Sequence, residues 1–290
     1  MPRLTISKTP KCYVGGKFIR SESARTFPLN AASGEFFAHV PQCTRKDVRN
    51  AVEVAAKAGG GWAGRSAYNR GQILYRLAEM LEPRSAELVD ALKLGGATPS
   101  EAKAEVTATI DRIVHYAGWT DKYEQLLGSV NPVASPHFNF TVTEPMGVIG
   151  VVAPDESPLL GLLTCILPAI TAGNSVVVIT SESAPYPAIA LGEMLATSDL
   201  PGGVVNLLTG FRKEMVPTFA THEHIRGIGG VVSADERKTL ETGGVESMKR
   251  VKIFNAADAI DWRAGDGPKA SLYAIADFLE YKTTWHPVGA

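Results

Sequence analysis

An α/β fold organised on a parallel sheet is predicted by three features of the chain. Residues 148–153 and 175–179 are short runs of β-branched and small apolar residues without polar alternation, the pattern of strands buried on both faces. Between them lies an apolar stretch fit for a helix of about three turns. Ser157 and Pro158 suit its N-cap and first position, and Ala172-Gly173-Asn174 its end, with Gly173 as the left-handed residue. A strand, helix, strand unit of this length makes a parallel crossover, and such sheets take ligands at the carboxyl ends of their strands. Those ends are Pro154-Asp155-Glu156-Ser157 and Thr180-Ser181-Glu182.

The other elements are read around that unit. Residues 11–41 alternate apolar and polar positions about Gly15-Gly16 and Ser33-Gly34, which predicts short hairpin strands. In residues 44–58 the period changes: Thr44 and Asp47 form an N-terminal capping pattern, and Val48, Ala51, Val52, Ala55 and Ala56 share one helical face. Residues 70–81, 86–94 and 99–119 repeat that logic and predict an antiparallel helical layer over one face of the sheet. Pro132, Pro136 and Pro145 bracket an alternating run at 137–142, which predicts an edge or arm strand. A helix is expected over 187–197, strands over 204–208 and 225–232, and a last strand over 279–285. Beyond Val232 the periodicity breaks at Gly243-Gly244, Gly265 and Gly267.

Composition excludes more than it selects. With 45% hydrophobic and 20% charged residues and a net charge of −1, the chain has no electrostatic basis for nucleic acid or an anionic membrane as partner. The first residues, MPRLTISKTPK, lack the apolar core of a signal peptide, and residues 159–172 are too short to span a bilayer, so a cytoplasmic protein is expected. Cys12, Cys43 and Cys165 are odd in number and widely spaced, which fits scattered reduced thiols rather than a disulfide framework or a zinc site. His222 and His224 could share a strand face, but no third ligand lies nearby, and no metal is expected. Asp155-Glu156 reads as an acidic pair at a helix N-terminus before it reads as an acid/base pair.

The ordered set YVGGKF, FPLNAASGEFFAHVP, RGQILYRLAEMLEPRSAELVDAL, EAKAEV, IDRIVHYAGWTDK, EPMGVIGVVAP, LPAITAGNSVVV, LPGGVVNLLTG and LEYKTTW resembles the aldehyde dehydrogenase superfamily. In particular it is similar to the truncated, cysteine-less second copy carried by family sixteen. The resemblance implies an α/β, Rossmann-like cofactor domain over residues 1–129 and 146–235. It also implies a projecting β oligomerisation arm over 130–145 and 279–290, and a remnant of the catalytic domain over 236–278. The family's chemistry uses a cysteine thiolate that forms a thiohemiacetal, from which hydride passes to NAD(P). No cysteine follows Cys165 here, which matches a packing position inside a helix. Residues 240–244, LETGG, are similar to the segment carrying the general base, which places that vestigial carboxylate at Glu241.

The positions matching the family's cofactor contacts are Pro154, Ile179, Ser181, Glu182, Gly210, Arg212 and Val216. Several have changed character. Glu156 stands where the family has an asparagine that stabilises an oxyanion, and an ionised acceptor there repels one. Ile179 replaces the lysine of the cofactor motif, although Glu182 is kept, and Arg212 and Val216 replace two glycines beside the adenine. For the Gly-Ser turn ahead of the pyrophosphate helix the candidates are Gly229-Gly230 or Ser233. NAD(P) is thus expected from the family and opposed by these replacements. The function expected is a catalytically inactive structural or regulatory subunit. It would join a homo-oligomer, or a complex with a full-length aldehyde dehydrogenase, through residues 130–143 and 279–285. The alternatives are NAD(P)-dependent oxidation of an aldehyde to a carboxylic acid, and a nucleotide-sensing module in which Glu182 holds a ribose.

Overall fold

The computed structural model describes residues 8–264 and 270–289. The entry segment folds as two hairpins, β1 (Cys12–Val14) with β2 (Lys17–Ile19) and β3 (Thr26–Asn30) with β4 (Phe36–Pro41). Gly15 and Gly16 both have positive φ, 63° and 76°, which a two-residue turn between right-twisted strands demands. Next comes the helical layer: α1 (Arg45–Ala63), α2 (Ala67–Leu81), α3 (Ser85–Leu94), α4 (Pro99–Ala117) and the short α5 (Tyr123–Leu127). The Asp47 carboxylate accepts from Thr44 N–H at 2.8 Å and starts α1 where the capping pattern placed it. Then follow β5 (Ser129–Asn131), β6 (His137–Pro145), β7 (Val148–Val152), α6 (Leu160–Thr171), β8 (Ser175–Ile179), α7 (Tyr186–Leu195), β9 (Val205–Leu208), α8 (Arg212–Thr221) and β10 (Ile225–Val232). The chain closes with α9 (Ala234–Gly244), β11 (Arg250–Asn255), α10 (Leu272–Ala276) and β12 (Leu279–Pro287).

Seven strands form the main sheet in the order β11-β10-β7-β8-β9-β1-β2. The five from β11 to β9 are parallel, and the β1–β2 hairpin is added antiparallel at one edge. From β7 the chain builds outward through β8 and β9, then returns to lay β10 and β11 on the other side of β7. The reversal between β7 and β10 opens a crevice at the carboxyl ends of the strands. Every residue of β7, β8 and α6 is buried, as the unbroken apolar runs predict. One apolar cluster joins the sheet to α2, α4, α6 and α7, and a second, on the opposite side, packs α1 and α8 around Val48, Val52 and Phe219. Trp62, fully buried, ties α1 to α6 by donating from Nε1 to Ile170 O at 2.8 Å. No helix among the described residues is long and apolar enough to cross a membrane.

Three local expectations are revised. Helix α6 begins at Leu160 rather than at Pro158, and the N–H groups of Leu159 and Leu160 at its start are capped by a distant carboxylate, Glu105 of α4. Ser157 keeps a capping role, its hydroxyl accepting from Gly161 N–H at 3.0 Å. Of the two readings of the proline-bracketed run, an edge or an arm strand, the edge is excluded: β6 is the middle of a separate sheet, β12-β6-β5, since Pro136 lies outside the strand and Pro145 ends it. Third, residues 234–255 form α9 and β11, and β11 pairs parallel with β10 as an outer strand of the main sheet. Gly243 does not break α9; a Cβ on it would stand 2.7 Å from that of Ala220, so it lets α8 and α9 touch. Gly265 and Gly267 lie outside the described residues.

Candidate functional site

The crevice is bounded by the segments that leave β7, β8, β9 and β10. Beyond β7 the chain runs through buried Ala153 and Pro154, and Pro154 lies so close to α6 that a Cβ on Gly161 would be 2.4 Å from its Cγ. Asp155 then reaches across to the end of β8, where its Oδ1 accepts from Ser181 Oγ at 2.7 Å and from Glu182 N–H at 2.8 Å. Its other oxygen meets Arg212 Nη2 at 2.9 Å. Arg212 is the first residue of α8, delivered by the Thr209-Gly210 turn, in which Gly210 has φ +139° and presses on the backbone of Cys43. The same Nη2 donates to Ala153 O at 2.6 Å, and the Arg212 N–H donates to Glu182 Oε2 at 2.9 Å. The Arg212 side chain is 11% exposed, and its Nε is buried without a partner.

A closed knot of one guanidinium and two carboxylates results. Arg212 lies across the end of β7, one carboxylate pairs with its side chain, and a second sits on the N-terminus of α8, where the helix dipole favours negative charge. Glu156 points outward and accepts from Trp262 Nε1 at 3.3 Å. The first turn of α6 is occupied in a similar way: Glu105 Oε1 accepts from Ser157 Oγ, Leu159 N–H and Leu160 N–H at 3.1, 3.1 and 3.0 Å. The backbone donors that could face an anion there already hold one.

On the far side of the crevice, Ser233 caps α9. Its N–H donates to Glu236 Oε2 at 2.7 Å, and its Oγ accepts from Glu236 N–H at 3.3 Å. Of the candidates for the Gly-Ser turn, Gly229 and Gly230 lie inside β10, where a Cβ on Gly230 would come within 2.0 Å of Val152 O; Ser233 is the residue at a helix start. Asp235 and Glu236 stand in that first turn. The structure therefore brings together Asp155, Ser181, Glu182 and Arg212, with Glu156 beside Trp262. Val216 and Ile179 belong instead to the buried cluster beneath, with Met215, Leu208 and Leu240. Glu241 lies on the solvent side of α9, where it pairs with Arg237 at 3.2 Å.

The residues that would face a dinucleotide are bonded to one another in this structure. The Glu182 carboxylate is bonded to the α8 backbone, the Arg212 guanidinium is bonded to Ala153 O at the end of β7, and α8 and α9 are in contact at Ala220 and Gly243. The turn that would face a pyrophosphate carries two acidic side chains. Two participants, Glu105 and Trp262, escaped the sequence reading, because they lie 52 and 106 positions from their partners and no local pattern announces them.

All three cysteines are buried. Cys165 lies within α6, but the expectation of scattered thiols fails for the other two, whose sulfurs are 3.4 Å apart. Among the described residues no three His, Cys, Asp or Glu side chains converge on a metal position. The ring centroids of His222 and His224 are 5.9 Å apart, where the chain leaves α8.

Comparison with known proteins places this architecture. Residues 18–261 match the family model described as the aldehyde dehydrogenase family. Retinal dehydrogenase 2 of Mus musculus is 33% identical over 259 residues, which are 87% of this chain and 49% of that protein. Cytosolic 10-formyltetrahydrofolate dehydrogenase of Mus musculus is 31% identical over 259 residues, 87% of this chain and 29% of that protein. Among solved structures, the aldehyde dehydrogenase from Bacillus cereus, in its NAD+ complex, superposes with a TM-score of 0.81 at 26% identity, covering 86% of this chain and 51% of that one. The chain spans about half the length, or less, of the relatives it matches. With the family match running from β2 to the segment after β11, and relatives above 30% identity over 87% of its length, the chain belongs to the aldehyde dehydrogenase family.

Proposed function

We propose that this chain is a catalytically inactive aldehyde dehydrogenase homologue that serves as a structural or regulatory subunit. The observation that carries this reading is the Arg212 knot, in which the groups a dinucleotide would use are satisfied by one another.

The docking element in this reading is the arm, residues 130–145 and 279–290. Its nine-residue β12 pairs with β6 from Leu279↔Pro145 to Pro287↔His137. One face of the small sheet gathers Val130, Phe138, Phe140 and Val142, three of them exposed, and Tyr281 and Trp285 are exposed on the other. An open strand edge flanked by apolar side chains is a surface that calls for a partner. The partner proposed is a second chain of the family, either a copy of this one or a complete dehydrogenase.

The test pairs an assay with a mass measurement. The purified chain, given aldehydes with NAD+ or NADP+, is expected to produce no reduced nicotinamide, and light scattering is expected to give at least a dimer, or the chain to co-purify with a complete dehydrogenase from its native host. Turnover by the isolated chain, or a monomer with no such companion, contradicts the proposal.

A further inference from the structure

Neither Cys12 nor Cys43 has a part in the proposed function. They are 31 positions apart in sequence, Cys12 on β1 and Cys43 just after β4, yet their sulfurs are separated by 3.4 Å. Their relative exposures are 1% and 0%. Thr209 Oγ1 stands 3.4 Å from Cys12 Sγ, and Cys43 N–H donates to Thr209 O at 2.9 Å, so the end of β9 holds both residues in place. Among the described residues only β2 lies outside β1 in the sheet, which puts Cys12 one strand in from an edge.

We infer that Cys12 and Cys43 form a reversible dithiol–disulfide pair addressed by small peroxide oxidants. Forming the bond requires the sulfurs to close by about 1.4 Å, to the usual length near 2.05 Å. The two thiols are unequal in a way that suits this chemistry. The Cys12–Cys43 hydrogen bond, helped by those to Thr209, draws the Cys12 thiol below its ordinary range against the opposing effect of burial. The same hydrogen bond, with burial and the neighbouring charge, pushes the Cys43 thiol well above its ordinary range. Cys12 is therefore the attacking thiolate and Cys43 the resolving thiol.

The step balances. The Cys12 thiolate attacks one oxygen of hydrogen peroxide, forming the sulfenic acid and expelling hydroxide, which takes up a proton to leave as water. Cys43 sulfur then attacks the sulfenic sulfur, its own proton leaves with the displaced hydroxyl as the second water, and the S–S bond forms. Two thiols are oxidised by two electrons in all, and one peroxide is reduced. A dithiol reductant reverses the change through a mixed disulfide. The pair sits directly behind the Thr209-Gly210 turn that carries Arg212, but the inference stands whether or not a dinucleotide binds.

The test uses the whole reduced chain. Native protein is treated with stoichiometric hydrogen peroxide, alkylated in denaturant, and examined by peptide mass spectrometry without reductant. Alkylated cysteines are expected to fall from three to one, with Cys165 alone labelled, and the Cys12 and Cys43 peptides are expected to be joined with the loss of two hydrogens. Dithiothreitol should restore all three. In C43S, Cys12 should be trapped as a sulfenic acid by dimedone, whereas in C12S the remaining Cys43 should not; if either variant fails to fold, the result on the unaltered chain decides alone. Three labelled cysteines after peroxide, or a link through Cys165 or to a second chain, overturns the inference.

Discussion

The strand-end crevice and the arm are built on opposite terms. In the crevice polar groups are spent on one another: Asp155 serves Ser181, Glu182 and Arg212, while Glu105 serves a hydroxyl and two helix N–H groups. In the arm, apolar groups are left over, with Phe138, Val142, Tyr281 and Trp285 exposed around a long unshared edge. A polar knot bonded within its own chain contributes to the fold of that chain and offers little to a ligand. An unsatisfied apolar sheet contributes little to its own chain and offers much to a partner. Substitutions in the two regions should therefore separate into folding effects and assembly effects.

The largest effect is expected in the arm. Replacing Phe138 and Val142 together by serine removes the centre of the apolar face and should weaken assembly by roughly 100-fold, about 3 kcal/mol, as for residues at the heart of an interface. Thermal unfolding at concentrations where the chain is already dissociated should hardly change. Sedimentation across a dilution series measures the first, and calorimetry the second; equal loss of stability and assembly would erase the contrast.

Asp155→Ala attacks the knot. It leaves a mostly buried guanidinium without its carboxylate and strips the partner from the Glu182 N–H, so a loss of about 2–3 kcal/mol in urea unfolding is expected with assembly unaffected. Glu105→Ala should cost less, about 1–2 kcal/mol, because it uncaps α6 while Ser157 still bonds Gly161. A full-sized loss of assembly from either change would show that crevice and arm are not independent.

The smallest effect is a pH dependence. Burial holds the His115 imidazole of α4 below its ordinary range, against the bond to Ala270 O, and Arg112 adds to the depression. As the pH drops below about 6.5, the unfolded chain takes the proton before the folded one does. The contribution of His115 is thus present above that pH and is lost as the pH falls through the folded value. Urea midpoints should decline on acidification across that window, and His115→Gln should flatten the slope; an unchanged slope would refute the assignment.

Much of the fold was legible because its elements are local. The apolar runs of β7 and β8, the stop at Gly173 with φ +89°, and the Thr44–Asp47 cap of α1 depend on neighbours within a turn or a strand, and periodicity reports them. What was not legible depends on contacts across the chain. Gly243 reads as a break, yet it is a point of close approach to Ala220, so α9 and β11 were hidden behind it. Arg212 could be read as replacing a glycine, but its acceptor, Ala153 O, is 59 positions away and becomes its neighbour only once β7 and β9 lie in one sheet. The Cys12–Cys43 contact likewise exists only because β1 is added beside β9, with Thr209 between the two residues.

Whether the crevice is closed by its own side chains can be tested directly by titrating NAD+ into the unaltered chain in a calorimeter. The Arg212 knot predicts no saturable heat into the millimolar range, and the same for NADP+. A one-to-one isotherm with a micromolar dissociation constant would mean that Arg212 gives way to the cofactor, and that the knot is a resting contact rather than a closure.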